Sequence, residues 1–151
     1  MSMTRQGLST VRTEHRDENL SAKGAYILRD SDNERDVTLM GTGSEVEIAV
    51  AAAEKLKSEG VNAVVVSVPC MELFAAQDAD YRTKVLGSAP RIAVEAGIRQ
   101  GWCAWLGDDG GFVGMKGFGA SGPGEELYEH FGITADNVAA KAKAAIKRRS
   151  A

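Results

Sequence analysis

A Gly-x-Gly pattern is the first candidate for chemistry in this sequence. Gly41-Thr42-Gly43 follows a short apolar run and precedes a helical pattern, where dinucleotide-binding proteins hold a pyrophosphate. The complete fingerprint needs a third glycine, but Val46 occupies that position. It also needs an acidic residue at the end of the next strand, which reads Val66-Ser67-Val68-Pro69. Because both features are absent, the pattern favours a plain tight turn over a cofactor site.

The histidines and cysteines do not form a recognisable metal or catalytic pattern. His15 and His130 are the only histidines, and neither stands at metal-ligand spacing from Cys70 or Cys103. The sequence therefore predicts no zinc site. Two cysteines in a chain that reads as intracellular are more often free thiols than a disulfide. Cys103 stands between two tryptophans on a predicted helix, which favours a packed thiol over a nucleophile.

Glu95 is the best-placed acidic residue, because it ends a predicted strand. In open parallel sheets, ligands bind at the carboxyl ends of the strands. A carboxylate there can equally accept a hydrogen bond from a neighbouring loop, and this structural interpretation is favoured. No nucleophile, base and oxyanion hole come together in one constellation. The residues therefore indicate an α/β domain without a self-contained active site.

Residues 36–60 are the segment around which the other elements are arranged. Residues 37–40 form an apolar run of strand length, and Ser44 with Glu47 reads as a capping box at the start of a helix. The helix pattern stops at Gly60, and residues 61–68 form a second strand. A strand, a helix and a strand in this order predict a parallel crossover.

The remaining elements complete a layered α/β fold. Residues 24–29 predict a strand so close to the next one that we expect the two to pair as an antiparallel hairpin. Further strands are predicted at 91–95 and 112–115, and further helices at 71–77, 101–106, 125–131 and after Thr134. Another short helix is predicted through residues 81–86, with Asp78 or Asp80 as its cap. The predicted fold is a three-layer α/β/α sandwich with about five mostly parallel strands and one antiparallel strand.

Composition limits the possible classes of function. The chain has 151 residues, 44% hydrophobic and 26% charged, as is ordinary for one globular domain. A net charge of −3 gives no electrostatic reason to expect nucleic acid as a partner. No apolar run is long enough to span a bilayer and no signal peptide is evident, so the sequence predicts a cytoplasmic protein without membrane contact.

From Thr4 onward, the chain resembles the C-terminal domain of transketolase, because several motifs occur in the same order and at the same spacing as in that domain. The combination is specific, although no single motif is. The motifs are Gly-Thr-Gly-Ser-Glu-Val from Gly41, Val-Val-Ser-Val-Pro from Val65, Ala-Val-Glu-Ala-Gly from Ala93, Phe-Gly-Ala-Ser-Gly-Pro from Phe118, and Phe-Gly-Ile-Thr-Ala-Asp-Asn-Val from Phe131. On this resemblance, residues 1–20 correspond to the end of a preceding domain with its linker, and residues 21–151 to the C-terminal α/β domain.

The resemblance implies an enzyme that moves two-carbon ketol units between sugar phosphates. Transketolases use thiamine diphosphate and a divalent metal, Mg or Ca, bound between the two preceding domains of a homodimer. The thiamine motif is not matched here, because Gly107-Asp108-Asp109-Gly110 departs from it. The resemblance therefore implies a fragment with no catalytic, cofactor or metal-binding residue of its own, cut from a longer chain and serving structure and dimer contacts.

One functional residue is carried over from the family. Thr4-Arg5-Gln6 matches a Ser-Arg-Gln motif whose arginine contacts the phosphate of the sugar substrate. The resemblance thus implies that Arg5 binds the substrate phosphate in the parent enzyme, and a guanidinium suits that role. Two alternatives stay open at this point. One is a stand-alone ligand-binding domain that uses a cleft near Gly43 and Glu95, and the other is a pure interaction module.

Overall fold

A strand–helix–strand crossover lies at the centre of the fold, as the sequence predicts. The computed structural model describes residues 6–149. Strand β2 (Val37–Gly41) leads into helix α1 (Glu45–Ser58), which leads into strand β3 (Ala63–Ser67). The two strands pair in parallel along their full lengths. The helix crosses one face of the sheet and brings the chain back to the end at which β2 began, so that β3 runs in the same direction as β2.

Five strands form a single sheet in the order β1-β3-β2-β4-β5. Strand β1 is Tyr26–Arg29, β4 is Arg91–Glu95 and β5 is Gly111–Gly114. Strands β2 to β5 are parallel, whereas β1 runs antiparallel. The predicted α/β fold with one antiparallel strand is therefore confirmed.

The predicted hairpin between β1 and β2 is wrong. Strand β1 pairs with β3, with Tyr26 opposite Ser67. Both edges of β2 are occupied by parallel neighbours, so the first strand adds to the free edge of β3 instead. The seven residues 30–36 are long enough to cross the two strand spacings of about 10 Å that separate β1 from β2.

Helices cover both faces of this sheet and make three layers. Helices α1, α5 (Gly124–Phe131) and α6 (Ala135–Arg149) pack on one face. Helices α2 (Met71–Ala75), α3 (Ala79–Leu86) and α4 (Cys103–Leu106) pack on the other. A 3-10 helix at Arg99–Trp102 leads directly into α4, where the sequence predicted one helix over 101–106.

The two cores are separated by the alternation of side chains along each strand. Leu39 points into the core beneath α1 and α6, while its neighbour Met40 points into the core beneath α2, α3 and α4. Both are fully buried, as are Val64, Val65 and Val66 on β3. Burial on both faces is what a parallel sheet between two helical layers requires, and it explains the continuous apolar runs in the sequence.

The helix termini follow local signals in most places. Asp78 accepts a hydrogen bond from Tyr81 N at 2.7 Å, so of the two predicted caps of α3, Asp78 and Asp80, it is Asp78 that caps the helix. Thr134 Oγ1 accepts from Asn137 N at 3.3 Å, and Gly60 ends α1 with a φ of 79°. The capping box at Ser44 is wrong, because this residue is already helical (φ −64°, ψ −31°) and makes no side-chain cap.

No helix within residues 6–149 is long and apolar enough to cross a membrane. The longest, α6, carries four buried residues on one side, and the rest of its surface includes lysines and arginines. Its buried residues face the sheet together with α1. The helices therefore act as covering layers for the sheet.

Candidate functional site

The turn after β2 is built for close packing of the strand against the helix. A Cβ on Gly41 would lie 3.1 Å from Val46 N, so this glycine lets α1 approach the strand end. Gly43 has a φ of 54°, in the left-handed region that favours glycine. The first turn of α1 then carries the carboxylates of Glu45 and Glu47. Negative charge there disfavours a pyrophosphate, which agrees with the tight-turn interpretation.

A buried carboxylate at the start of α1 is the centre of a hydrogen-bond network at the carboxyl end of the sheet. Glu45 is only 6% exposed, and Tyr128 Oη on α5 donates to its Oε1 at 2.6 Å. Ser44 Oγ donates to the same oxygen at 3.2 Å and lies 3.1 Å from Tyr128 Oη. Burial raises the pKa of Tyr128 above its ordinary value, and the hydrogen bond to Glu45 is the second largest cause of the increase.

The N-terminal segment contacts this network. Gln6 Oε1 lies 3.5 Å from Tyr128 Oη, and the side-chain amide lies directly over Gly124. Ser9 Oγ donates to Glu47 Oε1 at 2.8 Å. The segment that follows Arg5 is therefore held at the carboxyl edge of the sheet. Arg5 itself lies outside the described residues.

Two depressions lie side by side at this edge. The larger encloses about 620 Å³ and the smaller, more apolar one about 250 Å³. Gln6, Gly124 and Tyr128 line both of them. The larger depression is also lined by Gly7, Leu8, Ser44, Glu47, Ile48, Ala51, Pro123, Glu125, Glu126 and Ala135. Gln6 and Tyr128 thus stand on the boundary between an acidic cleft and an apolar one.

Glu95 has the structural role that was favoured from the sequence. Its Oε2 accepts a hydrogen bond from Trp102 Nε1 at 2.6 Å. Trp102 is fully buried in the second core, so this bond satisfies an indole N–H that would otherwise be costly to bury. Gly97 lies against the same carboxylate, since a Cβ there would be 3.1 Å from Glu95 Cδ. Glu95 therefore joins β4 to the segment that follows it.

The other candidate residues do not assemble into a site. His15 is exposed beside Asp17, and the ring of His130 packs edge-on against Phe131. Both cysteines are free. Cys103 is exposed, so the prediction of a packed thiol is wrong: Trp102, just before α4, and Leu106 face the core, whereas the thiol lies on the solvent side.

The described residues do not fit a thiamine diphosphate and metal centre. Within residues 6–149 no three His, Cys, Asp or Glu side chains come together as a group able to hold a metal ion. Residues 107–110 form a turn between α4 and β5, with Gly107 at a φ of 68°. We therefore assign no chemical step through a cofactor to these residues.

A sequence profile of one protein family matches most of the chain. The family described as "Transketolase-like TK C-terminal domain" matches residues 24–134. That range contains all five strands and reaches to the start of the last helix. The chain therefore belongs to the family of transketolase C-terminal domains.

The relatives of the chain are transketolases. The chain is 62% identical to the Cereibacter sphaeroides transketolase over 141 residues, which is 93% of this chain and 21% of that protein. It is 50% identical to Escherichia coli transketolase 1, with 93% of this chain and 22% of that protein covered. The chain thus spans about a fifth of the length of these relatives.

Solved transketolase structures have the same fold. The Leishmania mexicana enzyme matches with a TM-score of 0.79 and 39% identity, over 85% of this chain and 19% of that one. The Pichia stipitis enzyme in complex with sedoheptulose 7-phosphate matches with a TM-score of 0.78 and 32% identity, over 86% and 19%. The three-layer fold with one antiparallel strand is therefore the transketolase C-terminal fold.

The sequence did not reveal the Glu45–Tyr128 network. The two residues are 83 positions apart, and each has an ordinary local interpretation, an acidic residue in a first helical turn and an aromatic residue on a short helix. Glu45 is the first residue of α1 and stands next to the apolar Val46, which is a weak sign of burial, and no local pattern points to its partner.

Proposed function

We propose that this chain acts as the C-terminal domain of a transketolase that transfers two-carbon ketol units between sugar phosphates. The observation that carries the proposal is the 62% identity over 141 residues, confined to 21% of the length of the relative. In transketolases the chemistry is supplied by thiamine diphosphate with a divalent metal. The residues that hold these groups would belong to the other domains of a cytoplasmic, homodimeric enzyme.

The role proposed for the domain itself is structural, with contacts in the dimer. The part-buried hydrogen bonds of Glu45 and Glu95 join elements within the domain, so both carboxylates have structural partners. We expect the isolated chain to be inactive as a transketolase. Light scattering tests its association: a dimer in solution supports a direct contact role, whereas a monomer assigns dimerisation to the other domains.

Arg5 is proposed to bind the substrate phosphate. The match of Thr4-Arg5-Gln6 to the family motif supports this role. A second support is the position of Gln6 at the carboxyl ends of the parallel strands, where α/β proteins bind ligands. A guanidinium can donate two parallel hydrogen bonds to phosphate oxygens.

A chimera tests the proposed function. Residues of this chain would replace the matching 141-residue segment of the Cereibacter sphaeroides transketolase. We expect a folded chimera that binds thiamine diphosphate and transfers ketol units at a rate comparable to that of the unmodified enzyme, which serves as the control. A chimera that folds and binds the cofactor but transfers nothing would contradict the proposal.

A further inference from the structure

We propose that a groove along the outer edge of β5 binds an extended acidic segment of a second protein, which adds a strand to the sheet. The groove lies between β5 and α6 and encloses about 440 Å³. We call it the β5 groove, and its walls include Phe112, Val113, Gly114, Lys116, Lys141 and Arg148. It shares neither Gln6 nor Tyr128 with the two depressions at the carboxyl edge, and the proposal does not depend on the proposed transketolase function.

The outer edge of β5 has no strand beside it. The sheet order places β5 last, where it pairs with β4 through residues 111–114, and within residues 6–149 no further strand lies on its other side. An unpaired edge offers backbone N–H and C=O groups to an incoming extended chain. The other edge strand, β1, already has chain beside it, since the Arg12 guanidinium lies 5.9 Å from the centre of the Tyr26 ring. Strand β5 is therefore the candidate for strand addition.

The side chains of an added strand would meet two different surfaces. Phe112 packs against the core on the side of α2, α3 and α4, whereas Val113 lies in the core beneath α1 and α6. Successive side chains of a strand point to opposite faces, so alternate residues of an added strand would face α6. On that side the groove is lined by the small residues Ala140 and Ala144, which leave room for longer side chains. The residues in between would lie on the side of Phe112.

Three cationic side chains are spread along the groove. Arg148 Nη2 donates to Asp109 O at 3.3 Å, two residues before β5 begins. The stem of Lys141 lies on Gly111, because a Cβ there would be 2.8 Å from Lys141 Cδ. Lys116 follows the other end of the strand. All three are exposed, and none of them takes part in an ion pair between described residues.

An acidic peptide segment is the occupant that matches both features of the groove. The three cations line it and no acidic residue does, although the chain as a whole has a net charge of −3. A second copy of the chain would bring the same cations to the same edge, and like charges would oppose that pairing. Nucleic acid would satisfy the cations but has no peptide groups to pair with β5. The structure therefore favours a peptide with acidic residues at alternate positions.

A synthetic peptide tests the proposal on this chain. The probe is fluorophore-labelled acetyl-Glu-Val-Glu-Val-Glu-Val-amide. We expect saturable binding at low ionic strength with a Kd below about 1 mM, measured by fluorescence anisotropy. Amide hydrogen exchange within Gly111–Gly114 should slow when the peptide is bound. One control peptide has proline for valine, which keeps the charge but removes backbone donors, and another has lysine for glutamate. Each should bind about 10-fold more weakly or worse.

Substitutions test the position of the site. We expect the double variant Lys141→Gln with Arg148→Gln to weaken binding of the Glu-Val peptide by roughly 2- to 25-fold, because two exposed ion pairs are lost. The matched control is Lys84→Gln with Arg82→Gln, which makes the same change in net charge on α3, the helix on the opposite face of the sheet. Arg82 also donates to a backbone carbonyl, that of Ala75 at 2.6 Å. The control should leave binding nearly unchanged.

Each other outcome overturns the proposal. Absence of saturable binding by the Glu-Val peptide would show that the groove does not take an acidic strand. Equal binding of the proline peptide, or unchanged exchange at β5, would show attraction by charge without strand addition. Equal losses in the two double variants would place the peptide elsewhere. Tighter binding of a single-stranded oligothymidine would make nucleic acid the occupant, and slowed exchange at β5 on raising the protein concentration alone would make it a second copy.

Discussion

Substitution of Gly24 by alanine should destabilise the domain more than substitution of any solvent-facing glycine with a similar backbone. Gly24 has a φ of 80° at the end of the 3-10 helix Leu20–Lys23. A Cβ there would lie 2.2 Å from Phe74 N and 2.4 Å from Cys70 O. Both are backbone atoms, one within α2 and the other on the residue that precedes it, and Cys70 N also donates to Gly24 O at 3.0 Å.

Gly60 provides a matched control for the backbone contribution. Its φ is 79°, and nothing lies within 4 Å of the position that a Cβ would take. A left-handed backbone costs an L-residue about 1–2 kcal/mol, so Gly60→Ala should lower the free energy of unfolding by that amount. Gly24→Ala adds overpacking against backbone, typically about 1–3 kcal/mol more, for a total of roughly 2–5 kcal/mol.

Urea denaturation followed by circular dichroism measures both changes. We expect the urea midpoint to be highest for the wild type, lower for Gly60→Ala and lowest for Gly24→Ala. The m-values should not change, because each variant alters the native state and leaves the surface area exposed on unfolding similar. A total stability of about 5–15 kcal/mol is usual for a domain of this size, so Gly24→Ala should remain measurable in most of that range. Equal losses in the two variants would refute the steric argument and leave only the backbone cost.

Three further predictions follow from the described residues and from Arg5. Gly43→Val should lower the free energy of unfolding by about 1–3 kcal/mol through backbone strain, and an unchanged urea midpoint would contradict the reading of this turn. In the chimera, Arg5→Ala should lower kcat/KM for phosphorylated acceptors by roughly 10- to 150-fold, mostly through KM, with Arg5→Lys recovering only part. Burial raises the pKa of Tyr128 and of Tyr81 in the folded protein. The stability that each neutral phenol contributes is therefore complete below the unfolded-state pKa of about 10, and it is lost as the pH rises through the folded-state pKa. Phenylalanine at either position should therefore flatten the alkaline decline in urea midpoint, and a decline identical to that of the wild type would argue against the phenol's contribution.

Local patterns in the sequence determined most of the architecture. The crossover of β2, α1 and β3 was predictable because two apolar runs, a helical periodicity and a terminal glycine lie within one continuous segment, residues 36–68. A cap at Asp78 or Asp80 and the strand at 91–95 were predictable for the same reason. The structural role of Glu95 was favoured from the sequence, although its place at a strand end is also where ligands bind in parallel sheets. Each of these features depends on residues that are close along the chain.

Only the tertiary structure decided the strand neighbours and the residues at the sheet edge. The choice of β3 over β2 as the partner of β1 depends on which strand edge is free once the parallel strands have assembled, and no local pattern encodes that. The contact of Tyr128 with Glu45 and the close approach of Gln6 to Gly124 join segments that are far apart in sequence. Whether a carboxylate is buried, and whether a missing Cβ makes room for another side chain, depends on the groups that surround them, because burial and close approach are properties of the packed fold.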